Sequence, residues 1–128
     1  MTLKRHGFTL AEVLIVVVIL SVLVGMAIPR YAAAVERNTS LEGINILTAL
    51  LGAQRRFALE NGGLYTANMN DLDVQIPPPR NFAAPQVFNN SGGVASIVRK
   101  GNLYVLAIND QGVISCVGGA MCSFVITF

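Results

Sequence analysis

A long, nearly uncharged segment close to the N-terminus constrains this chain more than any other feature. A basic leader with Lys4 and Arg5 is followed by residues 8–29, which are almost all apolar and contain one charged side chain, Glu12. About 20 such residues suffice to cross a lipid bilayer as an α-helix. A carboxylate within that helix costs about 2.5–3.5 kcal/mol on insertion scales, so Glu12 should have a partner.

The residues around Glu12 follow a recognisable pattern. The sequence GFTLAE at positions 7–12, the apolar run after it and Pro29 resemble the N-terminus of type IV pilins and type II secretion pseudopilins. The resemblance implies that a prepilin peptidase cuts between Gly7 and Phe8 and that the new amine of Phe8 is N-methylated. It also implies that Glu12 pairs with the Phe8 amine of a neighbouring subunit during assembly.

A different kind of export signal is the alternative. An ordinary secretory signal would be cut after its apolar region, for which Ala32-Ala33-Ala34 would serve, but it would leave Glu12 unexplained. In either case the positive residues before the span orient it, with the leader in the cytoplasm and the rest of the chain outside.

The apolar segment continues into an amphipathic helical segment. Gly25 and Pro29 interrupt the span and predict a kink or local melting, because Pro29 cannot donate to the carbonyl of Gly25. Beyond Pro29, apolar residues recur at three- and four-residue spacing, which predicts a helix with one buried face. That face comprises Ile44, Leu47, Leu50, Leu51, Phe57 and Ala58. The water side is marked by Arg30, Glu36, Arg37 and Glu42.

The remainder of the chain favours a small β-sheet. Asn61-Gly62-Gly63 ends the helix, and three consecutive prolines at 77–79 exclude another. Short strands are predicted at 86–88, 94–98, 103–108, 113–117 and 123–128, with a hairpin turn at 109–112. The expected fold is α+β, with one long helix packed on an antiparallel sheet, as in pilins. The expected organisation is a leader (1–7), a membrane helix (8–29), an amphipathic helix (30–60), an αβ-loop (61–82) and a sheet with a C-terminal disulfide loop (83–128).

The two cysteines, Cys116 and Cys122, form an even pair in a small exported domain, which predicts a disulfide. Metal binding is the alternative, but the only histidine, His6, lies in the leader. Asp71 and Asp73 form a D-x-D pair, yet two carboxylates alone do not make a calcium site. We therefore expect no metal and no cofactor.

The sequence gives little evidence for catalysis or for nucleic-acid binding. The nine basic residues include two in the leader, so the remaining seven balance the seven acidic residues. A patch of Arg55, Arg56, Arg99 and Lys100 could contact DNA, but adjacent helical residues diverge by about 100° and no aromatics are interleaved. We find no paired carboxylates or phosphate loop, so we expect neither an enzyme nor a nucleic-acid-binding protein.

The resemblance implies a structural subunit of a homo-oligomeric helical filament. A type IV pilin, major or minor, is favoured because the cysteine pair resembles the disulfide-bounded region of those proteins. A type II secretion pseudopilin, or an anchored or secreted β-rich binding domain, is the alternative. The implied partners are other pilins, the prepilin peptidase, an inner-membrane platform protein and an assembly ATPase. The subunit would wait in the bacterial inner membrane and then enter an extracellular pilus at the cell surface.

Overall fold

The computed structural model describes residues 7–125 and divides into two compact units, Met1–Ala34 and Val35–Phe128. One helix, α1, spans Leu10–Glu60 and contributes to both units. Its helical assignment continues through Gly25 and Pro29. A kink or melting at these two residues stays a prediction.

The N-terminal unit is a helix without a covering partner. Thr9 caps it, since the backbone N–H of Glu12 donates to the Thr9 hydroxyl at 3.3 Å. All side chains from 7 to 32 are exposed. An 18-residue window of this helix reaches a mean hydropathy of 2.8 with none of it buried. By length and composition, this segment can cross a membrane.

The second unit contains an antiparallel meander beside the C-terminal half of α1. The strands lie in the order β1-β2-β3-β4, and each pairs with the next along the chain. A 3₁₀-helix (Met69–Asp71) precedes the sheet and a short helix, α2, follows it. The bounds are β1 Gln86–Asn90, β2 Gly93–Val98, β3 Val105–Ile108, β4 Ile114–Val117 and α2 Cys122–Val125.

The core forms where the inner face of α1 meets the sheet. Leu47 and Leu50 on α1 and Ile97 and Leu106 on the sheet are fully buried, which confirms the amphipathic pattern. Gly43 permits close approach at this interface, because a Cβ there would lie 2.9 Å from the Phe82 ring. The fold is thus the expected α+β arrangement of one long helix and a small antiparallel sheet.

The predicted fifth strand at 123–128 is wrong for the part that the structure describes. Residues 122–125 form α2, in which the Phe124 N–H donates to the carbonyl of Met121, while 126–128 lie outside the described residues. The Cys116–Cys122 disulfide turns the chain back after β4, and Val125 is buried in the core. An apolar run this short cannot distinguish a strand from a buried helical turn.

Candidate functional site

The prepilin-like motif lies at the uncovered start of α1. Gly7, Phe8 and Thr9 precede the first helical residue, and the Phe8 side chain is 85% exposed. Glu12 is exposed, and its carboxylate makes no hydrogen bond or ion pair with the residues that the structure describes. The Gly7–Phe8 peptide and the Glu12 carboxylate are therefore accessible to other molecules, while cleavage, methylation and pairing stay predictions.

The apolar surface of this segment requires a cover. Side chains such as Leu14, Val18 and Leu23 are more than half exposed. Soluble monomers rarely expose a contiguous apolar patch of more than a few hundred Å², so lipid or other helices must surround it. This helix and the motif at its start are the features that define how the chain can associate.

A buried ion pair holds the second unit together, and the sequence pattern missed it. Glu36, predicted on the water side, is 7% exposed. Its carboxylate accepts from Arg99 Nε at 2.9 Å, from Arg99 Nη2 at 3.4 Å and from the Tyr104 hydroxyl at 2.7 Å. The hydrogen bond from Arg99 lowers the pKa of the Glu36 carboxyl and outweighs the opposing effect of burial. Burial first, and then the bond to Glu36, raises the pKa of Tyr104, which keeps its proton.

Two neighbouring charges on α1 bind other segments through the backbone. Glu42 accepts from the backbone N–H groups of Arg80 and Asn81 at 2.6 and 3.3 Å. Arg37 Nε donates to the carbonyl of Phe124 at 3.3 Å. Together with Glu36, these contacts attach the αβ-loop, the sheet and α2 to less than two turns of α1. They fix the orientation of these segments, which apolar packing alone does not, because the hydrophobic effect is non-directional.

A buried amide at Gln54 completes the polar interior. Its side-chain N–H groups donate to the carbonyls of Thr66, Phe88 and Val94, and its oxygen accepts from the Thr66 N–H at 3.0 Å. No sequence signal distinguishes this residue from an ordinary helical glutamine, since its partners come from three separate segments.

The predicted disulfide is confirmed. Cys116 in β4 and Cys122 in α2 are bonded, with their Cα atoms 5.6 Å apart, which is the usual separation for a disulfide. Cys116 lies opposite Leu106 across the β3–β4 pair. The bond therefore attaches α2 to the edge strand of the sheet.

The candidate calcium pair is engaged in protein contacts. Asp73 accepts two bonds from Arg56, both at 2.7 Å, and Asp71 accepts from Thr66 and Asn68. In the part of the chain that the structure describes, no three His, Cys, Asp or Glu side chains are grouped so as to hold a metal ion.

The basic residues considered for DNA do not form one patch. Arg99 is committed to Glu36, and the Arg55 guanidinium donates to the carbonyl of Asp110 at 2.6 Å. Arg56 is paired with Asp73, while Lys100 lies beside the αβ-loop, where it donates to the carbonyl of Arg80.

Comparisons with known proteins agree with this geometry. Residues 2–28 match the family model described as a prokaryotic N-terminal methylation motif. The chain is 26% identical over 110 residues to the type II secretion system core protein G of Aeromonas hydrophila (84% of this chain, 76% of that protein). It is 29% identical over 114 residues to the protein of that name from Vibrio cholerae (87% and 77%). The Escherichia coli protein is 28% identical over 105 residues (80% and 72%). No solved structure matched the chain significantly.

An uncovered apolar helix with this motif, followed by a small α+β unit, defines a pilin-like subunit. The chain carries the N-terminal methylation motif and is similar over most of its length to type II secretion core proteins G, and its motif and apolar helix fit anchoring in a bacterial membrane.

Proposed function

We propose that this chain is a pseudopilin, a subunit of the helical filament of a type II secretion system. The observation that carries the proposal is similarity to three core proteins G of such systems over 84%, 87% and 80% of the chain. A similarity of that length must include much of the second unit, residues 35–128, which we call the globular unit. The expected type IV pilin is the weaker assignment, because it depended on the cysteine pair. The Cys116–Cys122 disulfide encloses a short loop and is compatible with either class.

Assembly would follow from the exposed surface of the N-terminal helix. In the bilayer, lipid covers its apolar side chains, and in the filament the helices of neighbouring subunits replace the lipid. Small gains in packing then drive association, since lipid and protein are equally apolar. The pairing of Glu12 with the Phe8 amine of a neighbour would penalise incorrect axial offsets, since each would leave a charge in apolar surroundings.

The repetition of one contact between different surfaces makes the assembly an open helix rather than a closed ring or dimer. We assign no reaction, cofactor or metal to the chain itself. The chemistry is performed on it by a prepilin peptidase, which cuts between Gly7 and Phe8 and methylates the new amine. A platform protein and an assembly ATPase of the inner membrane would then move the subunit into a filament that spans the periplasm.

Deletion of the gene tests the assignment. Loss of secretion of folded exoproteins, with unchanged surface fibres, is the result expected of a pseudopilin. Loss of surface fibres with normal secretion would overturn it in favour of a type IV pilin.

A substitution at Glu12 tests the assembly step. Glu12→Val should be processed at Phe8 but should not enter sedimentable filaments, because the partner of the Phe8 amine is lost. Ser21→Val is the matched control, since it removes a polar group from the same helix. The Ser21 hydroxyl donates to the carbonyl of Val17, one turn earlier in that helix. Normal filaments from Glu12→Val would contradict the role of Glu12.

A further inference from the structure

The charged residues of the globular unit are unevenly distributed along the packed part of α1, with an excess of basic residues at one end and of acidic residues at the other. At the end nearest Val35, four basic side chains accompany two carboxylates. These are Arg37, Arg80, Arg99, Lys100, Glu36 and Glu42. At the end nearest Glu60, four carboxylates accompany two basic side chains. These are Glu60, Asp71, Asp73, Asp110, Arg55 and Arg56.

The basic end presents two exposed basic residues, Arg80 and Lys100, which we call the basic patch. Lys100 Nζ donates to the carbonyls of Pro79 and Arg80 at 3.2 and 2.6 Å, which holds the ammonium group against the αβ-loop. The Arg80 guanidinium bonds to none of the residues that the structure describes, while the backbone N–H of Arg80 is held by Glu42. The carboxylate of Glu36 is paired with Arg99 and does not neutralise the basic patch.

The acidic end presents Glu60 and Asp71, which we call the acidic patch. Both lie at a small cavity of about 50 Å³ that Arg56 and Asp73 also line. Arg56 is engaged by Asp73 in a two-bond ion pair, so it does not neutralise the other two carboxylates fully. Glu60 makes no hydrogen bond or ion pair with any described residue and is exposed.

The two patches cannot compensate each other within one molecule. Glu42, beside the basic patch, and Glu60 are 18 residues apart on α1, which is about 27 Å at 1.5 Å per residue. That distance is roughly three Debye lengths at physiological salt. Two surfaces of opposite charge on one chain are complementary only between copies, and a contact between different surfaces propagates without closing.

We propose that the basic patch of one copy docks against the acidic patch of the next copy, with Lys100 next to Glu60. This inference rests on the proposed filament, in which the apolar helices supply the affinity. Contacts of this kind steer the encounter and fix the register more than they add affinity. They would select the one relative position of the globular units in which the opposite charges meet.

The lysine content of the chain makes a direct test possible. Lys100 is the only lysine outside the leader. A zero-length carbodiimide joins an amine to a carboxylate only where the two touch. In filaments of the full chain, treatment should give a peptide pair that links Lys100 to Glu60. Among the described residues, Lys100 makes no ion pair with a carboxylate of its own copy, so a link from Lys100 would report a contact between copies.

Three variants complete the test. Lys100→Arg keeps the charge, so it should assemble normally without the cross-link. Lys100→Glu should give at least about tenfold less sedimentable filament, since like charges then face each other. Lys100→Glu combined with Glu60→Lys should restore assembly, which a misfolded variant would not do. Gln86→Glu, which adds a negative charge on exposed β1, should have no effect.

The outcomes separate this inference from the proposed function. Filaments that lack the Lys100–Glu60 link, or that form normally from Lys100→Glu, would overturn the docking contact and leave the filament standing. If the charge swap does not restore assembly, the pairing of these two residues is wrong. Absence of filaments from the unaltered chain in secreting cells would overturn both.

Discussion

Substitution of Glu36 by glutamine removes the charge of the buried carboxylate while it keeps the shape of the side chain. Glu36 accepts three bonds, two from Arg99 and one from Tyr104. The Arg99 side chain is 17% exposed, so in Glu36→Gln it would lose its counter-ion at a largely buried position. Breaking a buried ion pair on one side costs about 3–5 kcal/mol. Arg99 keeps its bond to the carbonyl of Asn81, so we expect the lower end, about 3 kcal/mol.

The expected change is large enough to measure by thermal unfolding. In a domain of this size, each kcal/mol lowers Tm by about 4–8 °C, so Glu36→Gln should melt more than about 10 °C below the unaltered chain. Near-UV circular dichroism of the full chain in detergent micelles would follow the globular unit, because its tyrosines lose their packing when it unfolds. Asp73→Asn, which breaks the exposed Arg56–Asp73 pair, is the matched control and should change Tm little.

The pH dependence of this difference has a definite sign. The pKa of Glu36 is lowered in the folded state, chiefly by Arg99. A depressed pKa contributes stability above the unfolded value of about 4.3, and the contribution disappears as the pH falls through the folded value. The two melting temperatures should therefore converge below about pH 4. A Glu36→Gln protein that melts within about 2 °C of the unaltered chain at pH 7, or a gap that widens in acid, would refute the role of the ion pair.

Three further substitutions probe the same fold, with Tm as the measurement. Gly43→Ala should lower the stability of the folded state by about 1–3 kcal/mol, because the added methyl group meets the Phe82 ring. Gly52→Ala is the control; its methyl group would have ordinary contact distances, so Tm should be unchanged or slightly higher. Equal changes of Tm in the two variants would contradict the close approach at Gly43. Gln54→Leu should cost at least about 2 kcal/mol because it leaves several buried backbone groups unpaired, and an unchanged Tm would mean that water replaces the amide. Cys116→Ser should cost about 2–5 kcal/mol, and the same Tm with and without reductant in the unaltered chain would contradict it.

Much of the fold could be predicted from hydrophobic spacing, because spacing reports which side of an element is buried. The three- and four-residue spacing of Leu47, Leu50 and Leu51 located the inner face of α1. Turn residues at 109–112 located the β3–β4 hairpin, in which the Gly112 N–H donates to the carbonyl of Asn109. Both features depend on residues that are close together in the sequence, so one sequence is enough to predict them.

The polar interior could not be predicted, because its partners are distant in sequence. Glu36 and Arg99 are separated by 63 residues, and each alone has the pattern of a solvated surface charge. The predicted strand at 123–128 was wrong for another reason. Val125 is buried, but it lies in the helical turn Cys122–Val125, and so short an apolar run fits either conformation.

The motif at residues 7–12 pointed to a pilin-like chain, and residues 2–28 match the N-terminal methylation motif. The motif does not separate a type IV pilin from a pseudopilin. The proposal of a pseudopilin depends on similarity over most of the chain to type II secretion core proteins G, which no single local pattern displays.

The N-terminal peptide mass of the protein taken from secreting cells shows directly whether the chain is processed as a pilin-like subunit. We expect a chain that begins at Phe8 with one added methyl group on its amine. A chain that begins after Ala34, or one that still carries Met1, would contradict it. The protein would then be better described as an anchored or secreted binding domain.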